Sequence, residues 1–130
     1  MTQKSELGEL GEDLACEYLV NKKYKILERN FRKPWGEIDI IATSADKTLV
    51  FVEVKTMREN PNLRPEDNLS RAKLEKLRKT SAMYVGSYPE KVKKKRGWRI
   101  DLVAISIGND LTIKSNDYSL NHLENISFEV

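Results

Sequence analysis

Apolar residues recur along this chain in two rhythms, and the change from one to the other outlines its elements. Leu7, Leu10, Leu14, Ala15, Tyr18 and Leu19 return at helical spacing, which predicts an amphipathic helix over residues 5 to 21 with Glu6, Glu9, Asp13 and Glu17 on its polar side. Glu12 falls apart from those acids, beside Leu19 at the edge of the apolar arc. It can lean over a sheet or lie on the helix flank, and both readings stay open. Strands are predicted near Tyr24 to Asn30 and Glu37 to Thr43, separated by a loop through Pro34-Trp35-Gly36. The run Leu49-Val50-Phe51-Val52-Glu53-Val54-Lys55 reads as a buried strand that ends in two opposite charges. Alternation puts Leu49, Phe51, Glu53 and Lys55 on one face and Val50, Val52 and Val54 on the other.

The short polar link Ser44 to Thr48 predicts that the second and third strands pair as an antiparallel hairpin. Centring it on Asp46 sets Ile41 against Phe51, Ile40 against Val52, Asp39 against Glu53 and Ile38 against Val54. One pair in that register conflicts, because like charges directly opposite repel. Residues 57 to 69, with Pro61 and Pro65, read as a mobile loop. Ser70 can cap a second helix with Leu74, Leu77, Ser81, Tyr84 and Val85 on one face and Arg71, Lys73, Lys76, Arg78 and Lys79 on the rest. A basic loop over residues 86 to 97 leads to a strand from Trp98 to Ile107 and a short one from Leu111 to Lys114. Helix, three strands, helix, one or two strands: that order implies an α/β sandwich around a mixed sheet.

At 130 residues the chain suits a single domain with one core, spanning 1–130. No apolar stretch reaches the roughly 18 residues a membrane span needs, and Met1 to Glu6 has no apolar signal core, so a cytoplasmic location is expected. Cys16 is the only cysteine and His122 the only histidine, which excludes an internal disulfide and a cysteine zinc site. Nucleophilic catalysis through a histidine would have to use His122, for which the sequence supplies neither nucleophile nor orienting partner. Net charge is only +3, yet residues 63 to 99 hold twelve basic groups against four acidic ones. That block suits a polyanion, with Lys93, Lys94, Lys95 and Arg96 as candidate phosphate contacts, although a solvated face would look the same.

A divalent hard cation would relieve the conflict between Asp39 and Glu53, since Mg²⁺ prefers oxygen ligands and binds through one or two carboxylates plus water and phosphate. Lys55 then faces the same space and can stabilise charge developing on a phosphate. A plain Glu/Lys pair on an edge strand needs no ion, and that reading stays open on these residues alone.

The spacing of Asp39 and Glu53-Val54-Lys55 resembles the PD-(D/E)xK nuclease signature. A wider set is more specific: Gly11-Glu12-x-x-Ala15, Arg29-Asn30-Phe31-Arg32, Gly36-Glu37-Ile38-Asp39-Ile40-Ile41-Ala42, Val50 to Thr56 and Trp98 to Ala104. Together these resemble the YraN family, small bacterial proteins similar to archaeal Holliday-junction resolvases, over roughly residues 6 to 126. Ile100 stands where that family often has Phe, a packing change. The resemblance implies a restriction-endonuclease-like three-layer sandwich, a central mixed sheet flanked by helices, with Glu12, Asp39, Glu53 and Lys55 at the active-site positions. Mg²⁺ or Mn²⁺ is expected on Asp39 and Glu53, and Lys73, which resembles a commonly basic family position, can touch phosphate or equally stay solvated.

The leading expectation is therefore a metal-dependent endonuclease acting on DNA, in preference to RNA, on branched or single-stranded forms. A nucleic-acid binding module without turnover is the alternative, and the likeness to dimeric resolvases allows a homodimer. Glu37 is a candidate support for the site or a partner for Lys55, and Trp35 and Trp98 are read as packing residues ahead of base-stacking platforms. Asp101 is read as ordering the sheet edge or a neighbouring Arg.

Overall fold

In the computed structural model, which describes residues 5–108 and 117–126, Ser5 opens the first helix by accepting the Gly8 N–H at 3.0 Å. That helix, α1 (Glu6–Asn21), leads into β1 (Lys25–Lys33), β2 (Gly36–Thr43) and β3 (Leu49–Arg58), three strands joined by short turns. Ser70 caps α2 (Arg71–Ser87) through the Lys73 N–H, and β4 (Trp98–Ile107) and β5 (Tyr118–Leu123) follow. The strands lie in the order β1-β2-β3-β4-β5. Every neighbouring pair is antiparallel except β3 and β4, which run parallel. A parallel pair needs a crossover, and α2 is that crossover.

The alternation in β3 sorts the core into two halves. Val50 and Val52 join Leu14, Ala15 and Leu19 of α1, with Ile40, Val103 and Ile105 beside them. Leu49 and Phe51 join Leu74, Leu77 and Tyr84 of α2, with Ile38 and Ile100. A helix on each face of a five-stranded mixed sheet is the α/β sandwich the sequence implied. The antiparallel α2 brings its first turns over the far end of β3, where Glu53 and Lys55 lie.

Close approach of α1 to the sheet depends on one glycine. A Cβ on Gly11 would sit 1.8 Å from Thr56 Oγ1 of β3, inside any allowed contact. The next residue, Glu12, is consequently pressed against the sheet and is 1% exposed.

Three elements differ from the sequence expectation. Parallel pairing with β4 carries β3 on to Met57 and Arg58, opposite Ser106 and Ile107. The stretch read as a mobile loop therefore starts later, and it holds a 3-10 turn at Pro65–Asn68 whose Pro65 is buried and whose Glu66 accepts from Asn121 Nδ2 at 3.0 Å. Residues 118–123, for which the sequence pattern predicted no element, form β5, antiparallel to β4. The short strand expected from Leu111 to Lys114 lies outside the described residues. No described helix is long and apolar enough to cross a membrane.

Candidate active site

Between β2 and β3 the ladder follows the predicted register from Thr43 and Leu49 to Ile40 and Val52, and stops there. The next expected partners, Asp39 with Glu53 and Ile38 with Val54, do not continue it. Instead Asp39 Oδ2 accepts the Val54 N–H at 2.8 Å, so a side chain takes a donor of the type a backbone carbonyl would take in a continuing ladder. Two carboxylates set squarely opposite would repel, and the ladder ends at that pair. A cleft of about 360 Å³ lies there, walled by Glu37, Asp39, Glu53, Lys55, Lys73 and Lys76.

Inside the cleft the charges are tightly coupled. Lys55 Nζ lies 3.4 Å from Glu53 Oε2, each side chain only 19% exposed. Asp39 and Glu53 are hydrogen-bonded through their carboxyl groups. Burial, and then the negative charge of Asp39, pushes the Glu53 carboxyl up to about 8 despite the opposing pull of Lys55. Glu53 thus keeps its proton near neutrality. No group of three or more carboxylate, histidine or cysteine side chains suited to a metal occurs among the described residues. The donor set is the sparse, two-carboxylate kind that suits Mg²⁺ or Mn²⁺ with water and phosphate filling the rest, not a closed protein cage.

The other predicted site residues scatter. Glu12 does not wall the cleft; its Oε1 lies 3.5 Å from Arg29 Nη2, whose stronger contact is Asp13 at 2.7 Å. Lys73 does wall it. Lys93, Lys94, Lys95 and Arg96 sit at the opposite end of β3, where Arg96 reaches Asp46 at 3.7 Å and Gly97 accepts from the Leu49 N–H. Glu37 lies on the cleft wall 3.5 Å from Arg32, and Lys55 is paired with Glu53 instead of with it. Trp98 stacks edge-on to Phe51, as a packing residue should, whereas Trp35 is 46% exposed at a hairpin tip.

Lys76 belongs to the cleft and was read only as part of a basic helix face; its place one turn beyond Lys73 was the available signal. A second polar cluster was also missed. Asp101, fully buried, accepts from Arg99 Nε at 3.0 Å and from the Asn125 N–H at 2.9 Å, and lies 2.8 Å from His122 Nε2. With Asp101 ionised, Nε2 donates to it, and Nδ1 lies 2.9 Å from the Tyr18 hydroxyl. His122 therefore does have an orienting carboxylate and a hydroxyl neighbour, contrary to expectation. Its side chain is almost wholly buried, so the trio ties α1, β4 and β5 together. The expected role of Asp101, ordering a neighbouring Arg and the sheet edge, matches these contacts.

A family profile described as "Uncharacterised protein family UPF0102" matches residues 11–105. A UPF0102 protein of Thermodesulfovibrio yellowstonii is 40% identical over 123 residues, covering 95% of this chain and 96% of its own. The chain belongs to the UPF0102 (YraN) family. Another member, from Persephonella marina, is 41% identical over 83% of this chain and 90% of its own. The matched segment runs from Gly11 to Ile105 and so takes in both the Gly11–Thr56 contact and the whole cleft. Among solved structures, the EndoMS-dsDNA2 complex aligns at a TM-score of 0.41 and 14% identity, over 77% of this chain. The chain spans only 39% of that protein's length.

Proposed function

We propose that the cleft hydrolyses phosphodiester bonds of DNA with the help of Mg²⁺ or Mn²⁺, on single-stranded or branched substrates. One observation carries the reading: the Asp39 and Glu53 carboxyl groups, on neighbouring strands, wall one cleft at the end of an interrupted ladder, with the Lys55 ammonium 3.4 Å from Glu53. The resemblance of Asp39 and Glu53-Val54-Lys55 to the PD-(D/E)xK signature supports it. Asp39 and Glu53 would hold the cation, which when bound supplies Lewis acidity at phosphorus and a more acidic water. Asp39 is aimed by the Val54 amide, and Glu53 gives up its proton to the solvent on loading. Lys55 stabilises negative charge that grows on the phosphate oxygens. Lys73 and Lys76 neutralise the phosphates of the same strand and fix its register. Glu12 supports this arrangement from behind, as part of the α1 contact with β3.

Glu12 lies against Arg29, off the cleft wall, so the four expected site residues do not all meet there, and that favours one other reading, a DNA-binding module without turnover. Incubating the purified chain with labelled single-stranded, flap and four-way-junction DNA in Mg²⁺ or Mn²⁺ separates the two. Cleavage that disappears in Asp39→Ala and Lys55→Ala supports the nuclease. Cleavage that survives both comes from a contaminant and removes the proposal, while salt-sensitive binding with no cleavage selects the module.

A further inference from the structure

A second cavity, of about 230 Å³, begins one strand away from the cleft. Ala104 and Ser106 of β4 and Ser119 and Asn121 of β5 form its floor, and Arg64 and Glu66 stand at its roof. Ala104 is the register partner of Lys55, and Asn121 is the register partner of Ala104. Register partners share a sheet face, so the floor continues the surface that carries Glu53 and Lys55, at about 4.8 Å per strand. The 3-10 turn at Pro65–Asn68 packs on β3 and β4 and is held down by the bond from Asn121 to Glu66.

The geometry points to this cavity as the seat of an unpaired nucleoside adjoining the phosphate bound in the cleft, with the DNA strand lying across β3, β4 and β5. Three observations converge on that class of ligand. The offset from Lys55, one to two strand spacings, is comparable to the reach from a phosphate to its neighbouring base. The lining offers hydroxyls that donate or accept, an amide and a guanidinium, which are the partners that base edges and sugar oxygens take. The volume admits one base beneath the Arg64–Glu66 roof, and a base still paired to its complement cannot enter. Selection for unpaired DNA would then reside in the 59–70 segment and β5, apart from the residues that act on phosphorus.

The inference rests on the cleft binding a DNA phosphate, and it fails separately from that reading. The probe is a fluorescein-labelled oligothymidylate, alone and annealed to oligoadenylate, titrated against the full chain in EDTA so that no cutting intervenes. Ser119→Trp, which fills the cavity from an exposed position on β5, should weaken binding of the single strand about tenfold, equivalent to about 1.4 kcal/mol. Binding of the duplex should not change, and Ser119→Ala should match wild type for both. Should Ser119→Trp melt at a lower temperature, the exposed Arg64→Glu replaces it, with the same selective loss required. Unchanged single-strand affinity in a variant that melts like wild type, or equal losses for both probes, overturns the subsite and leaves the cleft untouched. Lys73→Glu must weaken both probes; if it weakens neither, the cleft reading itself falls, whatever Ser119→Trp does.

Discussion

The Asp39 carboxylate accepts the Val54 amide at 2.8 Å and so takes over where the β2–β3 ladder ends. Because the amide oxygen of asparagine can accept the same bond, Asp39→Asn should unfold in urea within about 1 kcal/mol of wild type. Asp39→Ala strands a partly buried N–H and should cost about 1–3 kcal/mol. Equal stability of the two variants would show that the carboxylate does not hold the strands.

Glu53 makes stability fall with rising pH. Its carboxyl stands at about 8 in the folded chain, against an ordinary value of 4.5, because of burial and the charge of Asp39. Between those values the native state keeps a proton that the unfolded chain has lost. The stabilisation from that proton is complete below the unfolded value and is lost as pH rises through the folded one. Melting temperature in EDTA should therefore decline from pH 5 to pH 9 more steeply for wild type than for Glu53→Gln. Parallel curves for the two proteins would contradict the raised Glu53 carboxyl.

Much of this was legible from residues whose pattern has one physical solution. The run Leu49 to Val54 is so apolar that both faces had to be buried, and its alternation correctly divided the core between α1 and α2. The hairpin register held as far as Ile40 and Val52. It stopped where pairing rules ceased to be the strongest force, at two acids. β5 escaped because Tyr118, Leu120 and His122 alternate with Ser119 and Asn121 on a half-exposed edge, where polarity resembles a tail. The partners of His122 were invisible for another reason. Tyr18 is 104 residues away in sequence, and only the fold brings it within 2.9 Å.

Two glycines should respond in opposite directions. Gly11→Ala forces the new methyl into Thr56 and should cost about 1–3 kcal/mol by overpacking. Gly86, near the end of α2, has open space around it, and Gly86→Ala should be neutral or stabilise by up to about 1 kcal/mol. Thermal melts of the two variants side by side decide the matter; a harmless Gly11→Ala would mean that α1 can stand off the sheet.

The buried Asp101 is held below the usual carboxylate range: burial pushes it up, but the contacts with His122, Arg99 and the Asn125 amide outweigh that. Asp101→Ala removes the carboxylate that Arg99, His122 and the Asn125 amide share, leaves Arg99 with Tyr24 and Glu124, and should cost about 3 kcal/mol. Denaturant unfolding gives the loss, and binding of oligonucleotide to the surviving folded fraction should match wild type. A loss of binding at constant fold would place this cluster within the functional site.

Lys73 and Lys76 stand on the cleft wall one helical turn apart. Replacing either with Gln should reduce the slope of log Kd for single-stranded DNA against log salt by about 0.7, one released counterion each. Titration at several salt concentrations measures it. An unaltered slope would show that neither ammonium touches phosphate.

The Lys93–Arg96 cluster lies beyond the Leu49 end of β3, six residues and about 20 Å from Lys55 by strand rise. Glu53 is four residues and about 13 Å from that end, and ions screen charges over about 8 Å at physiological strength, so more than one screening length separates this cluster from Glu53. The chain's densest positive charge therefore answers to Asp46 and the solvent, and any pull it exerts on a polyanion acts from outside the cleft.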